Sequence, residues 1–376
     1  MTSFPVFCGK DCGGDACPLL ATVENGRVTA IRHNPAGGSY LRGCSRGFNL
    51  PLETYAPDRI LQPLVRSGPR GSGQFRPATW DEALTLTAER LGELRAAYGP
   101  TSVLNSGSAG TTSALHVTYR LLSRFLGYFG GYTQLTSNYS NAAAMFVLPY
   151  LLGSQWTASG FDPATMQSAE MIILWGANVL ETRHGTEIPQ RLSEASKRGA
   201  QIVVIDPRRS ATVKHATTWW LACRPGTDAA LMLAVLYVFF TENLADRPFI
   251  EAHSSGFDQL EAYVMGSSGQ ACTPGWAEAI CGVPAEEIVR FARAYAAARP
   301  AMLLPGYAIQ RVYAGEETYR LTVALQIATG NFGQRGGSTG SLNNRLPTPR
   351  VGKITAPALP DLPQVLEGLG LAAEAE

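Results

Sequence analysis

Between residues 166 and 330 the apolar positions alternate between two rhythms. Short apolar runs occur at MIILWG (171–176), QIVVID (201–206), TTWWLA (217–222) and AMLLPG (301–306), which read as strands. Stretches with helical period fall between and after them, at 186–198, from Thr227 onward, at 285–298 and at 316–329. Strand and helix in alternation predict an α/β fold with a doubly wound, mostly parallel sheet. The apolar run AALMLAVLYVFF (229–240) has 12 residues, where a membrane-spanning helix needs about 20, so it reads as a core helix.

The pattern upstream is different. Residues 1–62 are rich in Gly, Pro and Cys, and ATVENGRVTAIRH (21–33) alternates about an Asn25-Gly26 turn, which predicts a hairpin in a small β unit. Thr79 with Glu82 three residues on is a capping box; Leu84, Ala88, Leu91, Leu94 and Tyr98 then share one helical face until Gly99-Pro100 ends it. SVLNSG (102–107) reads as a strand, followed by a Gly/Ser/Thr loop and a helix over 113–128. The expected organisation is 1–62, then 63–165 joined with 300–345 as a discontinuous α/β domain, a Rossmann-like domain at 166–299, and a Pro-rich tail at 346–376.

Composition narrows the function. The 376 residues are 45% hydrophobic and 16% charged, as in a folded globular protein. Thirty-one basic against 30 acidic residues leave a net charge of +1, so no basic footprint for nucleic acid is present. MTSFPVF, ahead of the first cysteine, shows no basic n-region, apolar h-region or twin arginine; the expectation is a cytoplasmic location, with membrane association only through partners.

Four of the seven cysteines, Cys8, Cys12, Cys17 and Cys44, fall in the first 44 residues with spacing C-x3-C-x4-C-x26-C. Three thiolates on one loop and a fourth from a distant one suit a tetrahedral site, for which zinc and a four-iron, four-sulfur cluster are the candidates. Zinc ribbons usually pair two close knuckles, whereas one glycine-rich loop with a single returning cysteine suits a cuboidal cluster. Cys223, Cys272 and Cys281 have no clustered partners in sequence and read as buried apolar residues. Farther on, two strands end in Gly176-Ala177-Asn178 and Asp206-Pro207-Arg208, and in a doubly wound sheet ligands sit beyond such carboxyl ends. The fingerprint GxGxxG is missing, which leaves a nicotinamide-dependent dehydrogenase with a zinc-stabilised N-terminus as a weak alternative.

The runs CGKDCGGDAC, GCSRG, YAPDRILQPL and RPATWDEAL resemble the start of the molybdenum/tungsten bis-molybdopterin guanine dinucleotide oxidoreductases, dimethyl sulfoxide reductase group. FGGYTQLTSNYSNAA, WGANVLETRHG, VIDPRRSATV, CRPGTDAAL and TGNFGQRGG continue the resemblance over about residues 5–340. It implies that Cys8, Cys12, Cys17 and Cys44 bind a 4Fe-4S cluster in the N-terminal unit and that Arg46 stands between cluster and pterin. The four-residue gap before Cys17, where three is commoner, departs from the pattern. Gly176, Asn178, Glu181, Thr182, Asp206, Arg208, Gly226 and Asp228 become contacts for one guanine dinucleotide arm, and Gly306 and Gln310 contacts on the pterin side. A carboxylate at Asp228 can accept both N1–H and N2–H of guanine, although Thr227 or Asp228 could equally cap the next helix.

The resemblance also implies a metal ligand at Ser140, the position whose residue type tracks the substrate group; serine points to S-oxide and N-oxide reduction by oxygen-atom transfer. Without that context Ser140 reads as a helix N-cap. His184 is a weaker candidate, and Ala109 stands where some soluble sulfoxide reductases carry tyrosine. Implied partners are a small oxide substrate, a ferredoxin-like electron-transfer subunit, a membrane anchor and, because family members continue for several hundred residues, a second chain supplying a C-terminal domain. The alternative is a truncated, non-catalytic cluster- and cofactor-binding subunit.

Overall fold

A computed structural model of the protein describes residues 2–9, 17–106, 118–135, 140–153, 159–182 and 186–340. The N-terminal unit is a three-stranded antiparallel sheet, β1 (Thr2–Phe7), β2 (Pro18–Glu24) and β3 (Arg27–His33). Asn25 and Gly26 make the expected β2–β3 turn, both at positive φ (50° and 74°), the backbone that Asn-Gly tolerates best. Two short helices follow, α1 (Ser45–Phe48) and α2 (Leu50–Thr54). Tyr55 ties them to the sheet, its hydroxyl accepting the Val28 N–H at 2.9 Å while Arg27 stacks on its ring.

The next stretch holds a short antiparallel pair, β4 (Leu64–Arg66) and β5 (Phe75–Pro77), and then helix α3 (Trp80–Tyr98). Thr79 caps α3 by accepting the Glu82 N–H, but the Glu82 carboxylate turns to Arg76 rather than back to the cap, so only half of the capping box forms. The face of α3 expected to be buried is open: no residue of the helix is buried, and Leu84 and Tyr98 are 61% and 74% exposed. Beyond it lie β6 (Leu104–Asn105), α4 (Thr118–Phe129), β7 (Thr133–Gln134), parallel to β6, and α5 (Ala142–Leu152).

The central sheet has four parallel strands, β8 (Met171–Trp175), β9 (Gln201–Ile205), β10 (Trp219–Leu221) and β11 (Ala301–Pro305), in spatial order β10-β9-β8-β11. All residues of β8 and β11 are buried, as unbroken apolar strands require. Alternate side chains divide between two cores. Ile173, Trp175, Val203, Ile205 and Leu303 meet α5, α8 (Asp228–Thr241), α11 (Pro274–Cys281), α12 (Ala285–Ala297) and α13 (Gly315–Ala328), whereas Ile172, Leu174, Ile202, Val204 and Leu304 meet α6 (Glu187–Lys197) and α7 (Ala211–Ala216). Helix α8 carries the long apolar run and sits in the core, with Leu231, Met232, Val235 and Phe239 fully buried. At roughly 1.5–3 kcal/mol for each fully buried large apolar side chain, this helix anchors the layer. Two further helices, α9 (Arg247–His253) and α10 (Phe257–Val264), flank it.

Strand β11, expected with 63–165, pairs instead with β8. The chain steps outward through β8, β9 and β10 and then returns to the far side of β8, so the order reverses between β8 and β11. Open α/β sheets bind ligands at such a switch point, beyond the carboxyl ends. Among the described residues no helix is long and apolar enough to cross a membrane.

Candidate cofactor site

The two strands flanking the switch point end in glycine, and the pair is in contact. Gly306 donates its N–H to the Trp175 carbonyl at 2.7 Å, and a Cβ on Gly306 would stand 1.9 Å from the Gly176 carbonyl oxygen. Gly176 itself has φ 61°. No larger residue fits at Gly306 without separating the strand ends.

After β8 the chain turns around Asn178. Its side chain accepts from the Thr212 hydroxyl (2.6 Å) and donates to the Glu181 carboxylate (2.6 Å), while its carbonyl accepts from the Thr182 hydroxyl (2.8 Å). Glu181 also accepts from the Ala211 N–H (3.1 Å) and from Arg208 (2.7 Å). The Ala211 N–H, the Asn178 amide and Arg208 together hold its carboxyl below the usual range. After β9, Asp206 accepts the Arg208 N–H at 2.8 Å; burial raises its pKa, opposed by that bond and by the Arg208 charge.

After β10, Gly226 turns the chain at φ 77° into α8. The first residue of α8, Asp228, accepts the indole N–H of Trp175 at 2.9 Å, and burial raises its pKa against that bond, with the nearby Asp206 charge adding to the rise. Thr227 is the N-cap residue of α8, as the capping alternative expects, but its hydroxyl donates to the Arg224 carbonyl (2.7 Å) and makes no side-chain bond to the helix.

After β11 a short 3-10 turn (Tyr307–Gln310) buries Gln310. Its side-chain oxygen accepts the Ala144 N–H in the first turn of α5 at 2.8 Å, and its Nε2 has no partner among the described residues. Arg311 donates to the Ser140 carbonyl at 3.2 Å. Ser140 therefore comes to the β11 end of the sheet. The capping alternative for Ser140 fails as well, because the N-cap of α5 is Asn141.

Arg46, in α1, donates to the Glu181 carbonyl at 3.2 Å and joins the N-terminal unit to the same edge. Tyr40 strengthens the junction: its carbonyl accepts from Thr186, its hydroxyl donates to Glu194 (3.0 Å), and Arg191 stacks on its ring. Of the four clustered cysteines, Cys12 lies outside the described residues, as do His184 and Ala109. Cys8 and Cys17 face each other across the ends of β1 and β2, with the Cys8 N–H donating to the Cys17 carbonyl at 2.9 Å. Cys44 begins α1, and Gly47 one turn on lies so close that a Cβ there would be 3.2 Å from the Cys8 sulfur. Among the described residues no group of three His, Cys, Asp or Glu is assembled for a metal ion.

Sequence reasoning missed Trp175, Thr212 and Arg311. Trp175 reads as core at a strand end, and Thr212 lies in a motif without standing out from it. Arg311 follows Gln310 directly, but only the fold brings it to Ser140.

The switch point of this α/β sheet, where such folds bind ligands, gathers Asn, Asp, Arg and paired Gly residues. A family model for molybdopterin oxidoreductases matches residues 59–368, and the chain belongs to that family. It is 34% identical over 388 residues to the dimethyl sulfoxide reductase DmsA of Haemophilus influenzae, covering 96% of this chain and 48% of that protein. It is also 34% identical over 348 residues to the dimethyl sulfoxide/trimethylamine N-oxide reductase of Cereibacter sphaeroides, covering 85% of this chain and 41% of that protein. Acetylene hydratase from Pelobacter acetylenicus superimposes with a TM-score of 0.67 at 26% identity, over 88% of this chain and 44% of the other. The chain thus spans about half the length of the curated relatives it matches. Family membership removes the nicotinamide-dependent alternative.

Proposed function

We propose that this chain belongs to a molybdenum-dependent reductase of S-oxides or N-oxides, and that it holds one arm of a molybdopterin guanine dinucleotide cofactor along the carboxyl edge of its sheet. The observation that carries the reading is the convergence on the switch point of Ser140, Gln310 with its unpartnered buried Nε2, and the Gly176–Gly306 contact. A buried donor left unpaired costs about 1–3 kcal/mol, a cost that a ligand acceptor removes. The donor set fits the group: Gln310 offers an N–H to the pterin, the small Gly226 leaves room for a phosphate, and the carboxylates of Asp206 and Asp228 suit ribose and guanine.

When bound, the cofactor supplies two-electron chemistry coupled to oxygen-atom transfer. The chain's own residues orient and insulate it. Asn178, Thr182, Glu181 and Arg208 form one hydrogen-bonded network that fixes the β8 and β9 loops beside the dinucleotide. Ser140 offers a hard oxygen ligand to the metal, held near Gln310 through Arg311. Cys8, Cys12, Cys17 and Cys44 would hold a 4Fe-4S cluster, and Arg46 bridges from that unit to the Glu181 loop. A ferredoxin-like subunit, with or without a membrane anchor, would deliver the electrons. A fold shared with a protein named as a hydratase does not by itself fix the reaction; the names of the relatives and Ser140 favour oxide reduction.

The test is oxide-dependent oxidation of a reduced viologen dye by the assembled reductase. The parent should turn over dimethyl sulfoxide or trimethylamine N-oxide and Ser140→Ala should not; undiminished turnover in Ser140→Ala refutes the ligand role.

A further inference from the structure

His33 closes β3 and pairs across the ladder with Leu19 of β2. Directly paired residues share one face of an antiparallel sheet, and so do residues two apart along a strand. His33 therefore stands on the same face as Leu19 and Cys17, and Cys8 lies opposite Cys17, to whose carbonyl it donates its N–H at 2.9 Å. His33 and Cys17 are diagonal neighbours on that face, a separation of roughly 7–8 Å that an aromatic side chain can bridge. The segment from Gly43 to Gly47 packs against the same face. A Cβ on Gly47 would stand 3.2 Å from both the Leu19 Cδ1 and the Cys8 sulfur, and one on Gly43, just before Cys44, would stand 2.5 Å from the Leu19 Cδ2. Cys8, Cys17 and Cys44 thus gather with His33 at one end of the N-terminal sheet. The imidazole Nδ1 of His33 is buried there and has no hydrogen-bond partner among the described residues. Buried ring nitrogens are ordinarily paired, so this one points to an acceptor other than the described chain.

We propose that His33 belongs to the cluster pocket of the N-terminal unit, where its Nδ1–H donates to a sulfur of the bound 4Fe-4S group and raises the reduction potential of that group. The inference rests on the cluster reading given above. Iron-bound sulfur, whether sulfide or cysteine thiolate, accepts hydrogen bonds and carries more negative charge after one-electron reduction. A donor aimed at it therefore stabilises the reduced form more than the oxidised form. His33 is a donor and not a ligand, since four cysteines already supply one thiolate to each iron. Two replacements separate the donor from the ring. The amide N–H of asparagine stands where the histidine Nδ1 does, so His33→Asn keeps the hydrogen bond; His33→Leu fills the space with no donor.

The test takes the full chain, purified without oxygen from cells fed nitrogen-15 histidine, reduces it with dithionite and records pulsed electron paramagnetic resonance. Four irons and four sulfides per chain are expected, with a nitrogen-15 coupling to the cluster that disappears in His33→Asn. In redox titrations His33→Leu should make reduction about tenfold less favourable, a shift of about 59 mV for a one-electron couple, while His33→Asn stays near the parent. A chain without iron and sulfide would refute the cluster reading and the role of His33 with it. Four irons with no histidine coupling, or the parent potential retained in His33→Leu, would overturn the role of His33 alone. Where His33→Leu fails to fold or to hold iron, the coupling in the parent decides.

Discussion

The indole of Trp175, the last residue of β8, donates to the carboxylate of Asp228 at the start of α8 across 2.9 Å, although 53 residues separate them in the chain. Trp175 is fully buried, so this bond fixes a carboxylate at the sheet edge at the cost of partly dehydrating it.

For an acid with a raised folded-state pKa, the stabilising contribution is present below the unfolded value and lost as pH rises through the folded one. As pH rises through the folded-state pKa, Asp228 therefore weakens the ligand-free fold. Asp228→Asn keeps an acceptor for Trp175 and removes the charge, so the melting temperature of the ligand-free protein should rise. Affinity for GMP, measured by calorimetry, should fall by about 10- to 100-fold through loss of a charged acceptor.

Glu181 has the opposite sign. Its lowered pKa contributes stability present above the unfolded carboxylate value and lost as pH falls through the folded one. Melting temperatures of the parent and of Glu181→Gln should differ at pH 7 and converge toward pH 3. A difference that persists at pH 3 assigns the effect to something other than the charge.

Gly306→Ala places a methyl group against the Gly176 carbonyl. Urea denaturation should show a loss of about 1–3 kcal/mol. An unchanged midpoint means the strand ends are not in contact.

Gln310→Leu removes both the acceptor for Ala144 and the unpaired Nε2. The exposed cost of the unmet Ala144 N–H should be about 1 kcal/mol, and molybdenum recovered with the protein should drop more steeply than stability does.

The strands β8, β9 and β11 and the helices α6, α8, α12 and α13 were legible because burial on both faces, or on one stripe, leaves a periodic trace in sequence. Helix α3 shows what periodicity omits: Leu84, Leu94 and Tyr98 share a face as read, yet a shared face does not reveal what covers it. The strand ends at Gly176–Asn178 and Asp206–Arg208 stand out in the sequence as small, polar and acidic residues after apolar runs, while the contact roles of the candidate residues come from the family resemblance. Their partners were not legible, since Trp175–Asp228 and Ser140–Arg311 are contacts between distant segments that only the closed sheet creates. The placement of β11 beside β8 was missed for the same reason, as a strand's pattern carries no record of its neighbour.

A pterin dinucleotide held at the carboxyl edge of the sheet is tested most directly by elemental and nucleotide analysis of protein purified without oxygen, with the parent compared against Asp228→Asn. Molybdenum or tungsten together with acid-released guanine nucleotide is expected in the parent, and a clear fall in both in the variant. Iron without either, or equal nucleotide in parent and variant, would contradict it.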